Sequence, residues 1–166
     1  MQLAKYTDNF YVSSKIEFKT KTNSSSEQEK TILLIDDEDM VIKISEMMLK
    51  RLGYRVLKAH SGYEGLKLFE ENKSKIDLII SDLEMPKMNG KEVMDKLREI
   101  DPQIKVMLSS GALTEADEKN VVNKGFNGFI KKPYNMNTLC EKMTEIINWE
   151  YMIFVKIALC EYIKGF

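Results

Sequence analysis

Four short apolar runs in this sequence each end in residues able to handle a charged oxygen. Ile32-Leu33-Leu34-Ile35 ends in the acid pair Asp36-Asp37, and Ile76-Asp77-Leu78-Ile79-Ile80-Ser81 ends in Asp82. Ile104-Lys105-Val106-Met107-Leu108 ends in the hydroxyls of Ser109-Ser110, and Gly128-Phe129-Ile130-Lys131 ends in Lys132-Pro133. If the runs are neighbouring parallel strands, three carboxylates converge on one mouth. Repulsion and partial desolvation there would raise their pKa values unless a cation is present. Mg²⁺ suits the position, since it takes one or two carboxylates together with waters and a phosphate oxygen. An acid pair, a lone acid, a hydroxyl and a lysine are the parts needed to hold a phosphoryl group in transfer. Asp82 would be the nucleophile, and the metal and Lys132 would neutralise charge on the phosphoryl oxygens.

Such a mouth needs a sheet whose strands all end on the same side. Turn formers follow Asp82 at once in Leu83-Glu84-Met85-Pro86-Lys87-Met88-Asn89-Gly90, so its strand stops there. Residues 40–52 place Ile44, Met47, Met48 and Leu52 at helical spacing, with Gly53 as the stop. Residues 54–58 read as a strand, and helices are expected over 62–71, 91–100, 114–124 and 135–147. Strand and helix alternate five times, and the strands are almost wholly apolar. That pattern belongs to a parallel sheet covered by helices on both faces, an α/β doubly wound architecture with ligands at the carboxyl ends of the strands.

The four motifs, in this order, resemble the receiver domain of the two-component response-regulator family, over residues 30–148. The resemblance rests on Ile35-Asp36-Asp37-Glu38, on Asp82 to Gly90, on Leu108-Ser109-Ser110-Gly111 and on Lys132-Pro133-Tyr134. It implies a flavodoxin-like five-stranded sheet of order 2-1-3-4-5. It implies that Asp82 accepts a phosphoryl group from a phosphohistidine, with Asp36, Asp37 and Asp82 holding Mg²⁺. The main-chain carbonyl of Glu84 would complete the metal shell, Ser109 would contact the phosphoryl group, and Lys132 would pair with it. Phe129 matches the family's aromatic switch, filling space that Ser109 vacates. Pro133 matches a proline whose peptide bond the family tends to hold in cis. The implied partners are a histidine kinase or histidine phosphotransfer protein upstream and a protein partner downstream.

Taken singly, these residues have plainer roles. Acids at 36, 37 and 39 favour a helix N-terminus, Asp82 and Ser109 suit turns, Lys132 suits a solvated surface, and Phe129 suits a core. Two other functions compete. A phosphatase of the haloacid-dehalogenase type also uses a strand-end Asp with Mg²⁺, but it wants a general acid two residues later, where this chain has Glu84. A receiver-like scaffold would bind partners without phosphorylation. The only histidine, His60, falls in the turn Ala59-His60-Ser61-Gly62, so the chain is not expected to supply its own phosphodonor.

With 166 residues and a formal net charge of -1, one domain is expected, and no general nucleic-acid binder. Residues 1–29 read as a linker ending in Ser24-Ser25-Ser26-Glu27-Gln28-Glu29, without a secretory signal, so a cytoplasmic location is expected. Linkers of this kind join terminal receivers to hybrid sensor kinases, so a free-standing regulator and a piece of such a kinase are both open. Neither flank is long enough for an output domain. Cys140 and Cys160 lack metal-type spacing and read as ordinary thiols. Residues 149–166 are more apolar than a last helix needs, yet Glu150, Lys156 and Glu161 interrupt them too often for a membrane span. A homodimer through this extension is the expectation it carries.

Overall fold

The computed structural model describes residues 29–114 and 117–147. The expected linker and apolar extension, with the dimer assigned to the latter, lie outside the described residues.

The elements alternate as expected: β1 (Thr31–Ile35), α1 (Asp39–Arg51), β2 (Arg55–Ala59), α2 (Gly62–Asn72), β3 (Ile76–Asp82), α3 (Gly90–Ile100), β4 (Val106–Ser110), α4 (Glu118–Asn123), β5 (Gly128–Lys131) and α5 (Met136–Ile147). All strand pairs are parallel and the order is β2-β1-β3-β4-β5. Parallel strands covered on both faces are apolar at most positions, and β1 is buried at all five of its residues. Alternation along the strands divides the core in two. Leu33, Ile35, Ile79, Leu108 and Phe129 face one cluster with Phe69, Val93 and Leu97 of α2 and α3 and Val121 of α4. Ile32, Leu34, Leu78, Ile80, Met107 and Ile130 face the other, with Ile42 and Leu49 of α1 and Leu139, Met143 and Ile147 of α5.

Three expectations change in detail. The hydroxyls Ser109 and Ser110 end β4 rather than follow it, and the strand starts at Val106, not 104. α4 begins at Glu118 rather than 114: Thr114 donates through both its amide and its hydroxyl to Asp117 Oδ2, at 2.9 and 2.7 Å, so Asp117 is engaged ahead of the helix. α1 keeps its extent but turns another face inward. It buries Ile42, Ser45 and Leu49, while Ile44 and Met47 of the expected apolar face are exposed.

Candidate functional site

The second face explains the site. Following it to the strand ends, the row Ile32, Leu34 on β1 continues into Asp36, Leu78, Ile80 on β3 into Asp82, and Ile130 on β5 into Lys132. Strand periodicity therefore delivers two acids and a lysine to one place from three separate strands. Asp36 and Asp82 are buried at 1% and 4% exposure. Lys132 Nζ bridges them, 2.6 Å from Asp36 Oδ2 and 3.0 Å from Asp82 Oδ1. The Lys132-Pro133 peptide bond is cis, and the amide of Lys132 donates to the Ser110 carbonyl at 2.9 Å.

The loop after β3 is held as tightly. The Leu83 amide donates to the Ser109 carbonyl at 2.9 Å, and the Gly90 amide returns to the Leu83 carbonyl at 3.0 Å. Asn89 caps α3, its side chain accepting from the amides of Lys91 and Glu92 while Glu92 Oε2 accepts from the Asn89 amide, a reciprocal capping box. Gly90 has to be glycine, because a Cβ there would lie 2.3 Å from the Asp82 carbonyl oxygen.

Asp36, Asp37 and Asp82 each offer a carboxylate oxygen, and the three oxygens lie within 4.8 Å of one another. Three hard oxygen donors that close, open to water through the exposed Asp37, fit Mg²⁺, which keeps part of its hydration when bound. Asp36 Oδ1 also accepts from the Glu38 amide at 3.0 Å, which fixes its orientation. Burial raises the pKa of Asp82; Lys132 pulls it back down, and the charges of Asp36 and Asp37 add to the rise. Burial works against the Lys132 ammonium too, but its bonds to Asp36 and Asp82 outweigh that and hold its pKa above the ordinary value.

Ser109 pairs with Asp82 on one side and Ile130 on the other. Its Oγ is buried and has no hydrogen-bond partner among the described residues. It faces Tyr134, whose hydroxyl shares a 2.7 Å hydrogen bond with Ser45 Oγ of α1. Burial raises the pKa of the Tyr134 hydroxyl, opposed by the Ser45 hydrogen bond; the Asp36 charge adds to the rise and the Lys132 charge works against it. Phe129 pairs with Leu108 and packs in the other cluster. Ser109 and Phe129 therefore stand on opposite faces of the sheet. Ser110, which sequence reasoning passed over, shares the face of Leu108 and Phe129. Its Oγ accepts from the amides of Ala112 and Leu113 at 3.1 and 3.4 Å. Two adjacent serines are indistinguishable by type, and only strand register separates them.

Glu84 is exposed beside the mouth, lining with Asp82, Lys132, Gly111 and Tyr134 a groove of about 610 Å³ that extends along α1. His60 follows β2, its Nδ1 2.9 Å from Asp39 Oδ1. Cys140 is buried in α5. No helix among the described residues is long and apolar enough to cross a membrane.

Residues 32–144 match the response regulator receiver domain family, and the chain belongs to that family. Receivers are the phosphoacceptor modules of two-component signalling systems, and they bind Mg²⁺ at an acidic pocket such as this one. The chain is 34% identical over 117 residues to the sensor kinase CckA of Brucella abortus, an alignment covering 70% of this chain and 12% of that protein. The receiver domain of a hybrid histidine kinase CckA superposes with a TM-score of 0.60 at 35% identity, covering 71% of this chain and 99% of that one. A receiver domain protein from Clostridium thermocellum gives a TM-score of 0.66 at 30% identity, covering 71% of this chain and 94% of that one.

Proposed function

We propose that Asp82 is the phosphoacceptor, taking its phosphoryl group from the phosphohistidine of a histidine kinase or histidine phosphotransfer protein. The observation that carries this is the Asp36–Lys132–Asp82 bridge, a buried strand-end carboxylate held beside a cation that can follow the charge as it moves. An Asp82 carboxylate oxygen attacks phosphorus, the phosphorus–nitrogen bond breaks, and the imidazole leaves with the electron pair and takes up a proton. Lys132 pairs with the phosphoryl oxygens as negative charge collects beside Asp82. Asp36, Asp37 and Asp82, with the Glu84 carbonyl, would hold Mg²⁺, which supplies further neutralisation of the phosphoryl oxygens.

The switch is built from Ser110 and Phe129. Ser110 takes the part first expected of Ser109, because it shares a face with the aromatic ring and its present partners are two loop amides that it can release. Turned to the phosphoryl oxygen, it frees space at the β4 end into which Phe129 moves, altering the surface of α4, β5 and α5 that a downstream protein would bind. A ligand shifts such an equilibrium only by contacts that differ between the two states, and the Ser110 bond is that contact.

The test is incubation with acetyl phosphate and Mg²⁺, or with a phosphorylated kinase, followed by intact mass. One phosphoryl group on the wild type and none on Asp82→Ala is expected. Phosphorylation of the variant at another residue would overturn the assignment, and failure to label the wild type would favour the scaffold reading.

A further inference from the structure

α1 carries two apolar stripes. Ile42, Ser45 and Leu49 face the core, whereas Met40, Ile44 and Met47 face solvent at 64%, 48% and 67% exposure. The outward stripe has the i, i+4, i+7 spacing of a helix face made for burial. Val41 and Met48 flank it half-buried, and all but Met40 and Met47 line the groove that leads to Asp82. Three large apolar residues in a row on a 13-residue helix form a continuous patch, the kind that marks a docking surface.

We infer that residues 149–163 of this chain dock on that stripe. Position comes first. α5 ends at Ile147, and Ile146 and Ile147 belong to the same core cluster as Leu49, Leu52 and Tyr54, so the chain leaves the domain on the face of the sheet that α1 covers. Length follows. From Met47 back to Met40 is seven residues of helix, about 10 Å, whereas fifteen residues span about 22 Å even when helical. Chemistry agrees, since the segment holds Tyr151, Met152, Ile153, Phe154, Val155 and Ile157, all apolar, and the acid Glu150 at its start would meet the basic end of α1, Lys50 and Arg51. A tethered segment acts at an effective concentration in the millimolar range, so at micromolar protein it occupies its own stripe ahead of a second copy's.

Methionine oxidation reads the stripe without any phosphorylation. The full chain, at a concentration where sedimentation shows a monomer, is treated with peroxide and mapped by peptide mass. Buried Met94 and Met107 serve as the slow reference and report that the fold is intact. Met40 and Met47 are expected to oxidise at least tenfold more slowly than in a free peptide, and to reach the peptide rate when Phe154→Asp and Ile157→Asp are introduced together. As a second arm, Ile44→Glu, an exposed position, should speed alkylation of Cys160. Met40 and Met47 at the free-peptide rate in the monomer would overturn the inference, as would protection that survives the double substitution. Protection that grows only as dimer forms would assign the stripe to a second copy, and protection only on added anionic vesicles would assign it to a lipid surface; either overturns it. If protection is found but acetyl phosphate labels nothing, docking stands and the phosphoacceptor reading falls.

Discussion

Replacing Lys132 by methionine keeps most of its volume and removes its charge, leaving Asp36 and Asp82 facing each other with nothing between them. Both carboxylates are almost fully buried, at 1% and 4% exposure. Losing one partner from a buried ionic group costs about 3–5 kcal/mol, and because the Lys132 side chain is 15% exposed we expect roughly 2–4 kcal/mol here. That is a large share of the 5–15 kcal/mol typical of a domain, so urea unfolding at pH 7.5 without metal should show a markedly lower midpoint. The loss should depend on pH with a definite sign. Asp82 already titrates above its ordinary value of 3.8 because of burial, and removing Lys132 raises it further. Between the ordinary and the raised value the native state binds more protons than the unfolded chain. Stability of the variant therefore recovers as pH falls through the raised value and approaches wild type near the ordinary one. Mg²⁺ should restore part of the loss at pH 7.5, since it binds the native acid cluster and not the unfolded chain. A deficit that is the same at pH 7.5 and pH 4.5 and indifferent to Mg²⁺ would refute the account, for it would mean that the loss does not come from the unpaired carboxylates.

Other substitutions probe the remaining parts. Asp82→Asn should make the metal-free domain more stable than wild type at pH 7, because it removes an ionisation cost that is fully present above the raised pKa; the gain should vanish below about pH 3.8 in thermal melts, with Lys132 still paired to Asp36. Asp37→Asn, at an exposed ligand position, should leave the metal-free melting temperature within about 2 °C of wild type yet weaken Mg²⁺ binding at least tenfold by calorimetric titration. Gly90→Ala pushes a methyl against the Asp82 carbonyl and should cost about 1–3 kcal/mol. The same displacement should slow acetyl phosphate labelling on the order of 100-fold, measured by quenched time courses. Ser110→Ala should abolish the amide shift change around Phe129 on phosphorylation, whereas Ser109→Ala should preserve it; the reverse outcome returns the switch to Ser109.

Strand ends were legible because the sheet is parallel. A strand covered on both faces is mostly apolar, so a charged residue after an apolar run falls at or next to its end, and Asp36, Asp82 and Lys132 stand out by type alone. Side-chain direction is not legible in such strands, since alternation has no apolar–polar contrast to reveal it; that is why Ser109 and Ser110 were interchangeable on paper and are opposed in the fold. The inward face of α1 was hidden for the opposite reason. Its apolar residues run nearly all round the helix, and the stripe through Ile44 and Met47 competes with the one through Ile42 and Leu49. The deciding residue, Ser45, is polar and is buried because it bonds Tyr134 from a segment 89 residues away. A helix with more apolar surface than its own core can cover has been made for a second surface. In this chain part of that surplus, at Ile44, lines the groove that reaches Asp82, so on the proposed reading a donor protein and the docked segment would compete for one face of α1.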